Sequence, residues 1–559
     1  MTVTLRGPGL TEDQVVAVAR HGEKVALAAA ARTRMERSRN RVERAASSRE
    51  PVYGVSTGFG ALAGTRVAPL RQPELQLALI RSHAAGVGAP VDAEVVRATM
   101  LLRARTLAMG MSGVRPVIAE TLLAMLIQNV TPVVPRYGSV GCSGDLAPLA
   151  HIGLALVGEG DVIDAEGSCR PAAQAMRTAK VKPVKLETKE GLALINGTDG
   201  MLGMLALACA DAERLFRTAD VTAAMSAEAL LGTDRAFQAR LHEVRPHPGQ
   251  VASAANLARL MSGSQIVASH RHSGHSVQDS YSVRCSPQVA GAARDTLDFA
   301  RRTAEVELGS TIDNPIVLES GEVESNGNFH GEPLAFAADF LAIAAAEVGS
   351  IAERRVDRLL DPHRSQGLPP FLAEEPGVNS GLMVAQYTAA ALVAENRRLA
   401  APASVDSVPT SGMQEDHVSM GWGAARKLRT ALANLARILA VMDWEMATIG
   451  DPLADVGLLV VYTDLAQLAI TPPVPDGFPT GAELAARYAA ATGLDVAHLD
   501  WYVALGNYKL AIIGEGIHAR FLMGMTVGEG FEQMGPRVPV LVDLALQRAR
   551  ASGLPGLSG

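Results

Sequence analysis

Residues 138–150 read GSVGCSGDLAPLA, a glycine-rich turn that runs into an apolar stretch with Asp145 between the two. Gly138, Gly141 and Gly144 permit backbone geometries closed to other residues. Asp145 is expected to be the N-cap of a helix that starts at Leu146. Three readings fit Cys142-Ser143-Gly144. The tripeptide can be a tight structural turn. It can present Ser143 as a nucleophile, although the stretch is not G-x-S-x-G and no base is fixed nearby. Or the backbone itself becomes an electrophile: the unhindered Gly144 amide nitrogen attacks the Cys142 carbonyl. Loss of water and dehydration of Ser143 then leave a methylidene-imidazolone ring.

The 559 residues carry a formal net charge of −7, with 48% hydrophobic and 19% charged residues. That is a globular balance, long enough for more than one domain or one large helical one. The acidic balance argues against a nucleic-acid partner. Cys142, Cys169, Cys209 and Cys285 are too scattered for a disulfide framework or a zinc knot and suit a reducing cytoplasm. The first residues, MTVTLRGPGLTEDQV, lack the apolar core of a signal peptide. With no uncharged apolar run of about 18 residues, no membrane span is expected.

Helical periodicity dominates the chain. Glu332–Asp361, Asn379–Ala400 and Gly423–Val441 are Ala-rich with apolar residues at helical spacing. The fold class expected is mainly α, a bundle that also buries helix faces between subunits. Short strands are expected at VTPVVP near Val130 and VYGVST near Val52. Composition changes near residue 441: the remainder holds two of three Trp and four of eight Tyr. In it, Thr480 and Glu483 are placed for a capping box.

The opening stretch resembles the signature of the aromatic amino-acid ammonia-lyase family, whose members form the methylidene-imidazolone (MIO) from Ala-Ser-Gly or, in some histidine enzymes, Cys-Ser-Gly. Six more blocks agree in family order over residues 1–440: YGVSTGFG from Tyr53, RSHAAGVG from Arg81, GLALINGT from Gly191, QDSYSVRCSPQ from Gln278, NGNFHGEP from Asn326 and MQEDHVSM from Met413. The resemblance implies a long helical bundle, an MIO at Cys142-Ser143-Gly144 with no external cofactor, and a homotetramer whose active sites are shared between subunits. It also implies roles. Tyr53 is the base, with Glu415 sharing or taking that part. Arg284 clamps the substrate carboxylate, since guanidinium binds carboxylate bidentately. Asn196 and Tyr281 contact the ring or substrate, Gln278 lies nearby and Phe329 walls the pocket. For each, a buried hydrogen-bonding or packing group remains the alternative.

Ser82-His83 resembles the histidine enzymes, where lyases of phenylalanine or tyrosine carry Phe-Leu or His-Leu. Glu415 supplies a carboxylate that can accept an imidazole N–H, a bond that discriminates strongly against phenylalanine. The activity implied is L-histidine to trans-urocanate and ammonia, a step of histidine degradation. The alternatives are a phenylalanine or tyrosine ammonia-lyase or aminomutase and, in other classes, an inactive assembly protein or a phosphotransferase. His270, His272 and His275 lack a fourth ligand or helical H-x-x-x-H spacing, so no metal site is expected. Residues 441–559 resemble the C-terminal part of aminoglycoside-phosphotransferase-like kinases, with Asp443 at the magnesium aspartate. The phosphate loop, lysine and catalytic Asp of such a kinase do not precede it, so no catalysis is expected there.

Overall fold

A computed structural model describes residues 2–48, 51–272, 277–373 and 375–442, and thereafter 457, 460–465, 479–492, 496, 498–522 and 534–552. Internal contacts divide the chain into two units, Met1–Met442 and Asp443–Gly559.

The first unit is a helical bundle. Its main helices are α1 (Ala93–Ala108), α2 (Leu146–Leu156), α3 (Asp199–Ala229), α4 (Ser286–Gly309), α5 (Glu332–Leu360), α6 (Met383–Leu399) and α7 (Gly421–Met442). Helix α5 packs on α3, α4, α6 and α7, and α3 also packs on α1, α4 and α7. Alanines at 335, 337, 338, 342, 345 and 352 of α5 are buried, and their small side chains let neighbouring helix backbones approach closely. Pro333 sits in the first turn, where its missing N–H costs nothing. By length and hydropathy α5 is also long and apolar enough to cross a membrane, which the sequence reading did not anticipate. Two-thirds of its apolar window (67%) is buried inside the chain, as in the core helix of a bundle.

The strands are short and peripheral. Thr131–Pro132 and Pro135–Tyr137 form at the VTPVVP stretch. The strand expected near Val52 does not form: residues 53–56 are turn, and Thr57 makes only an isolated bridge to Arg66. Glycines 54, 58 and 60 break the extended run, and Gly54 and Gly60 take positive φ.

Ion pairs are buried among these helices. Arg103 of α1 and Asp199 of α3 are fully buried and paired. Arg103 also donates to the carbonyls of Ala193 (2.8 Å) and Asn196 (3.0 Å), and Thr106 donates to Asp199 at 2.9 Å. Lys189 and Asp313 make a second fully buried pair at 2.8 Å. The four cysteines are free thiols.

In the second unit, α8 (Gly481–Thr492), α9 (Leu499–Leu522) and α10 (Met534–Ala551) are described. Val460, Val461, Leu465, Leu499, Val503 and Leu541 gather in its own apolar cluster. The capping box forms: Thr480 N–H donates to Glu483 at 2.8 Å and Glu483 N–H to Thr480 Oγ1 at 3.3 Å. Asp443 lies outside the described residues.

Removing one member of a buried pair leaves the other charge uncompensated. Arg103→Met is therefore expected to cost about 3–5 kcal/mol of stability. Arg71→Ala, which breaks an exposed pair with Glu74, leaves the urea midpoint where it was. Urea unfolding followed by far-ultraviolet circular dichroism checks both.

Candidate active site

The turn at 138–145 is held between two segments. On one side Gly144 pairs in parallel with Gly197, and Asp145 N–H donates to the Gly197 carbonyl at 2.8 Å. On the other, Ser419 Oγ donates to the Gly141 carbonyl at 3.1 Å and Met420 N–H to the Val140 carbonyl at 2.9 Å. Gly144 has φ +79°, and a Cβ there would fall well inside contact distance of the Gly197 carbonyl. Glycine is required twice over, by backbone conformation and by space.

Asp145 occupies the N-cap position of α2, but its carboxylate makes no capping bond. It turns inward instead, accepting from Met201 N–H at 2.8 Å and Ser139 Oγ at 3.1 Å. Burial raises this carboxyl to about 7, against the lowering effect of those donors. The helix start therefore ties the turn to α3 rather than capping α2.

The tripeptide faces two cavities, and Cys142 lines both. The larger, about 490 Å³, has Ser143, Tyr53, Phe329 and Glu415 in its wall. The smaller, about 310 Å³, has His83 and Gly144. Ser143 Oγ donates to Glu415 Oε1 at 3.3 Å, and Thr410 Oγ1 steadies the other carboxylate oxygen at 2.7 Å. Tyr53 lies in the glycine-rich loop and accepts from Gly60 N–H at 3.4 Å. Burial raises its phenol and the Glu415 charge adds to this, while the Gly60 donor opposes them. Burial, with Glu415, also pushes the Cys142 thiol up to about 12. Burial lowers the His83 imidazole, partly offset by its bond to the Leu79 carbonyl and by Glu415.

Asn196 stands behind the site, its amide donating to the Asn314 carbonyl at 2.7 Å. Asn314 lines the larger cavity, as do Asn326, His330 and His417. Asn326, His330 and His417 fall inside the sequence blocks that begin at Asn326 and Met413, where nothing local distinguishes them, and Asn314 lies outside every block. Gln278, Tyr281 and Arg284 line neither cavity. Tyr281 is 71% exposed, and Arg284 lies over its ring at 4.6 Å. Of the loop histidines, His270 Nε2 bonds the Gly232 carbonyl at 2.9 Å, and His275 lies outside the described residues.

The chain as a whole is similar to known proteins. The family model for aromatic amino acid lyases matches residues 10–449. The chain belongs to the aromatic amino acid lyase family. It is a carbon–nitrogen lyase. The histidine ammonia-lyase of Streptomyces avermitilis is 58% identical over 440 residues, 79% of this chain and 86% of that protein. Among solved structures, the histidine ammonia-lyase of Trypanosoma cruzi aligns at TM-score 0.73 and 37% identity over 88% of this chain and 94% of its own. The tyrosine aminomutase of Streptomyces globisporus aligns at 0.75 and 35% over 99% of each chain. The aromatic amino acid lyase match therefore spans the whole helical bundle that carries the site.

Gly144→Ala must displace the Gly197 backbone and is expected to cost about 2 kcal/mol, read by urea unfolding. Asp145 gives a pH dependence of definite sign. Between the ordinary carboxylate range and about 7 the folded chain holds a proton that the unfolded chain has released. Stability contributed by this residue is thus greatest in acid and declines as pH rises through that window. Asp145→Asn is expected to flatten that decline, measured as urea midpoints from pH 4.5 to 7.5 (roughly the window in question).

Proposed function

We propose that the chain eliminates ammonia from L-histidine to give trans-urocanate, working as a cytoplasmic homotetramer in histidine degradation. The observation that carries this reading is the Glu415 carboxylate 3.3 Å from Ser143 Oγ, in a cavity walled also by Tyr53 and Phe329. The 58% identity to a histidine ammonia-lyase supports the same substrate, as do Ser82-His83 and the charge of Glu415.

The residues fit an MIO. Gly144 has the positive φ and bare Cα that closing a ring on Cys142 requires. Formed from Cys142-Ser143-Gly144, the group supplies an electrophile for the substrate amine. The chain's own residues do the rest. Glu415 takes a proton: its oxygens face Ser143, and Thr410 fixes its orientation. Tyr53 acts as a hydrogen-bond donor, because burial and the neighbouring carboxylate disfavour its phenolate. This gives Glu415 the base role the sequence divided between the two. Asn196 bonds the Asn314 carbonyl and keeps the cavity wall in place behind the turn.

The carboxylate clamp comes from another subunit in this reading. Tyr281 is exposed on its own chain, and Arg284 is stacked on it. Phe299, Phe336, Phe340 and Ile343 of α4 and α5 are 39–45% exposed, apolar area of the kind an obligate interface covers. Residues 441–559 are assigned no part in the reaction. The likeness to a tyrosine aminomutase supports a second reading, an aminomutase or lyase of tyrosine or phenylalanine, which the carboxylate of Glu415 disfavours.

Purified protein incubated separately with L-histidine, L-tyrosine and L-phenylalanine is expected to release urocanate and ammonia from the first alone. Ser143→Ala is expected to abolish the reaction, and Glu415→Gln to lower kcat by about 10²–10⁴, more than Tyr53→Phe does. Turnover of tyrosine or phenylalanine without histidine would transfer the chain to the second reading.

A further inference from the structure

Among the described residues, one trio of side chains has the make-up of a metal site: His330, Glu332 and His417, whose donor atoms all lie within 4.8 Å of one another. His330 belongs to the loop before α5, Glu332 is the first residue of that helix and His417 comes from the segment before α7. His330 Nδ1 stands 4.0 Å from Glu332 Oε2. The two imidazole rings are 5.7 Å apart between centroids and tilted by 31°. No spacing motif marks the trio, because its members come from two distant blocks of the sequence.

A second observation points the same way. Glu332 Oε2 is buried and has no hydrogen-bond partner. A buried carboxylate oxygen left unsatisfied is costly, so such atoms call for an explanation, of which a bound ion is one. The His330 imidazole offers no fixed donor to it, since 4.0 Å is beyond hydrogen-bond reach.

We propose that His330, Glu332 and His417 bind one divalent cation of the zinc or cobalt class. Two imidazoles and one carboxylate select such an ion over magnesium or calcium, which favour all-oxygen shells. Bonds of about 2.1 Å in a tetrahedron put donors about 3.4 Å apart. The trio must contract by roughly an ångström to reach that spacing, and exposed His417 on its irregular segment can supply the movement. Three protein donors leave at least one coordination position open. Both histidines line the 490 Å³ cavity that Ser143 and Glu415 share, so a ligand entering that cavity can reach the open position. The site's existence does not rest on the proposed reaction.

The test is a Co²⁺ titration of full-length protein stripped with chelator, with equilibrium dialysis for stoichiometry and visible d–d absorption for geometry. One Co²⁺ per chain is expected, with a four- or five-coordinate nitrogen and oxygen spectrum lacking thiolate charge transfer. Zn²⁺ displaces it and millimolar Mg²⁺ does not. His417→Ala and Glu332→Gln each weaken binding at least tenfold. His21→Ala, a change at an exposed helix end, leaves binding intact. Ser143→Ala also retains the site, which separates failure of this inference from failure of the lyase reading. No saturable Co²⁺ binding overturns the proposal, and so does undiminished affinity in both the His417 and Glu332 variants.

Discussion

The structure around the tripeptide depends on the contact between Gly144 and Gly197, where two backbones meet with no room for a side chain on the first. That contact brings the start of α2 against the start of α3. It is fastened from below by Arg103, which holds the Asn196 carbonyl and Asp199 at once. It is fastened from the other side by Ser419 and Met420. Segments far apart in the chain thus converge on eight residues of turn. A turn so constrained cannot relax by swinging outward.

Electrostatics divides along the same line. Two fully buried ion pairs lie behind the turn, Arg103 with Asp199 and Lys189 with Asp313. Asp313 adjoins Asn314, whose carbonyl accepts from Asn196, so the second pair also supports the cavity wall. The groups facing the cavity are of another kind. Glu415 is only partly buried, held by Thr410 and Ser143 with no paired cation among the described residues. Its unneutralised charge disfavours the anionic forms of both Tyr53 and Cys142. Those two pairs are neutralised, while the cavity wall carries two carboxylates, Glu415 and Asp416.

Other features of one chain are turned outward. Tyr281 and Arg284 stack on each other away from both cavities, although the short helix that carries them is anchored by buried Val283. The aromatic residues of α4 and α5 associate at the bundle surface, with Phe340 5.9 Å from Phe299 and 5.8 Å from Phe336 between ring centroids. The buried face of α5, by contrast, is rich in alanine, eight of its seventeen buried residues, so the same helix has a side of many small residues for its own bundle and a bulky side facing outward.

Much was legible in the sequence because it is local. Apolar periodicity located α5, α6 and α7 to within a few residues, since a helix is set by neighbours three and four apart. Glycines at 138, 141 and 144 announced a turn, and the ordered blocks announced the family. Other features were not legible. The loop at Tyr53 reads as a strand until its glycines are seen in turn conformations. Asp145 reads as a cap, yet points inward to α3, because a hydrogen bond across 56 residues leaves no local trace. Asn314, His330 and His417 enter the cavity through chain reversals that no spacing rule encodes. Residue types and their order were thus determined by the sequence alone. Which of them share a cavity, and which face away from it, was decided only by tertiary packing, because proximity between distant segments arises from how helix faces are buried and not from any pattern within them.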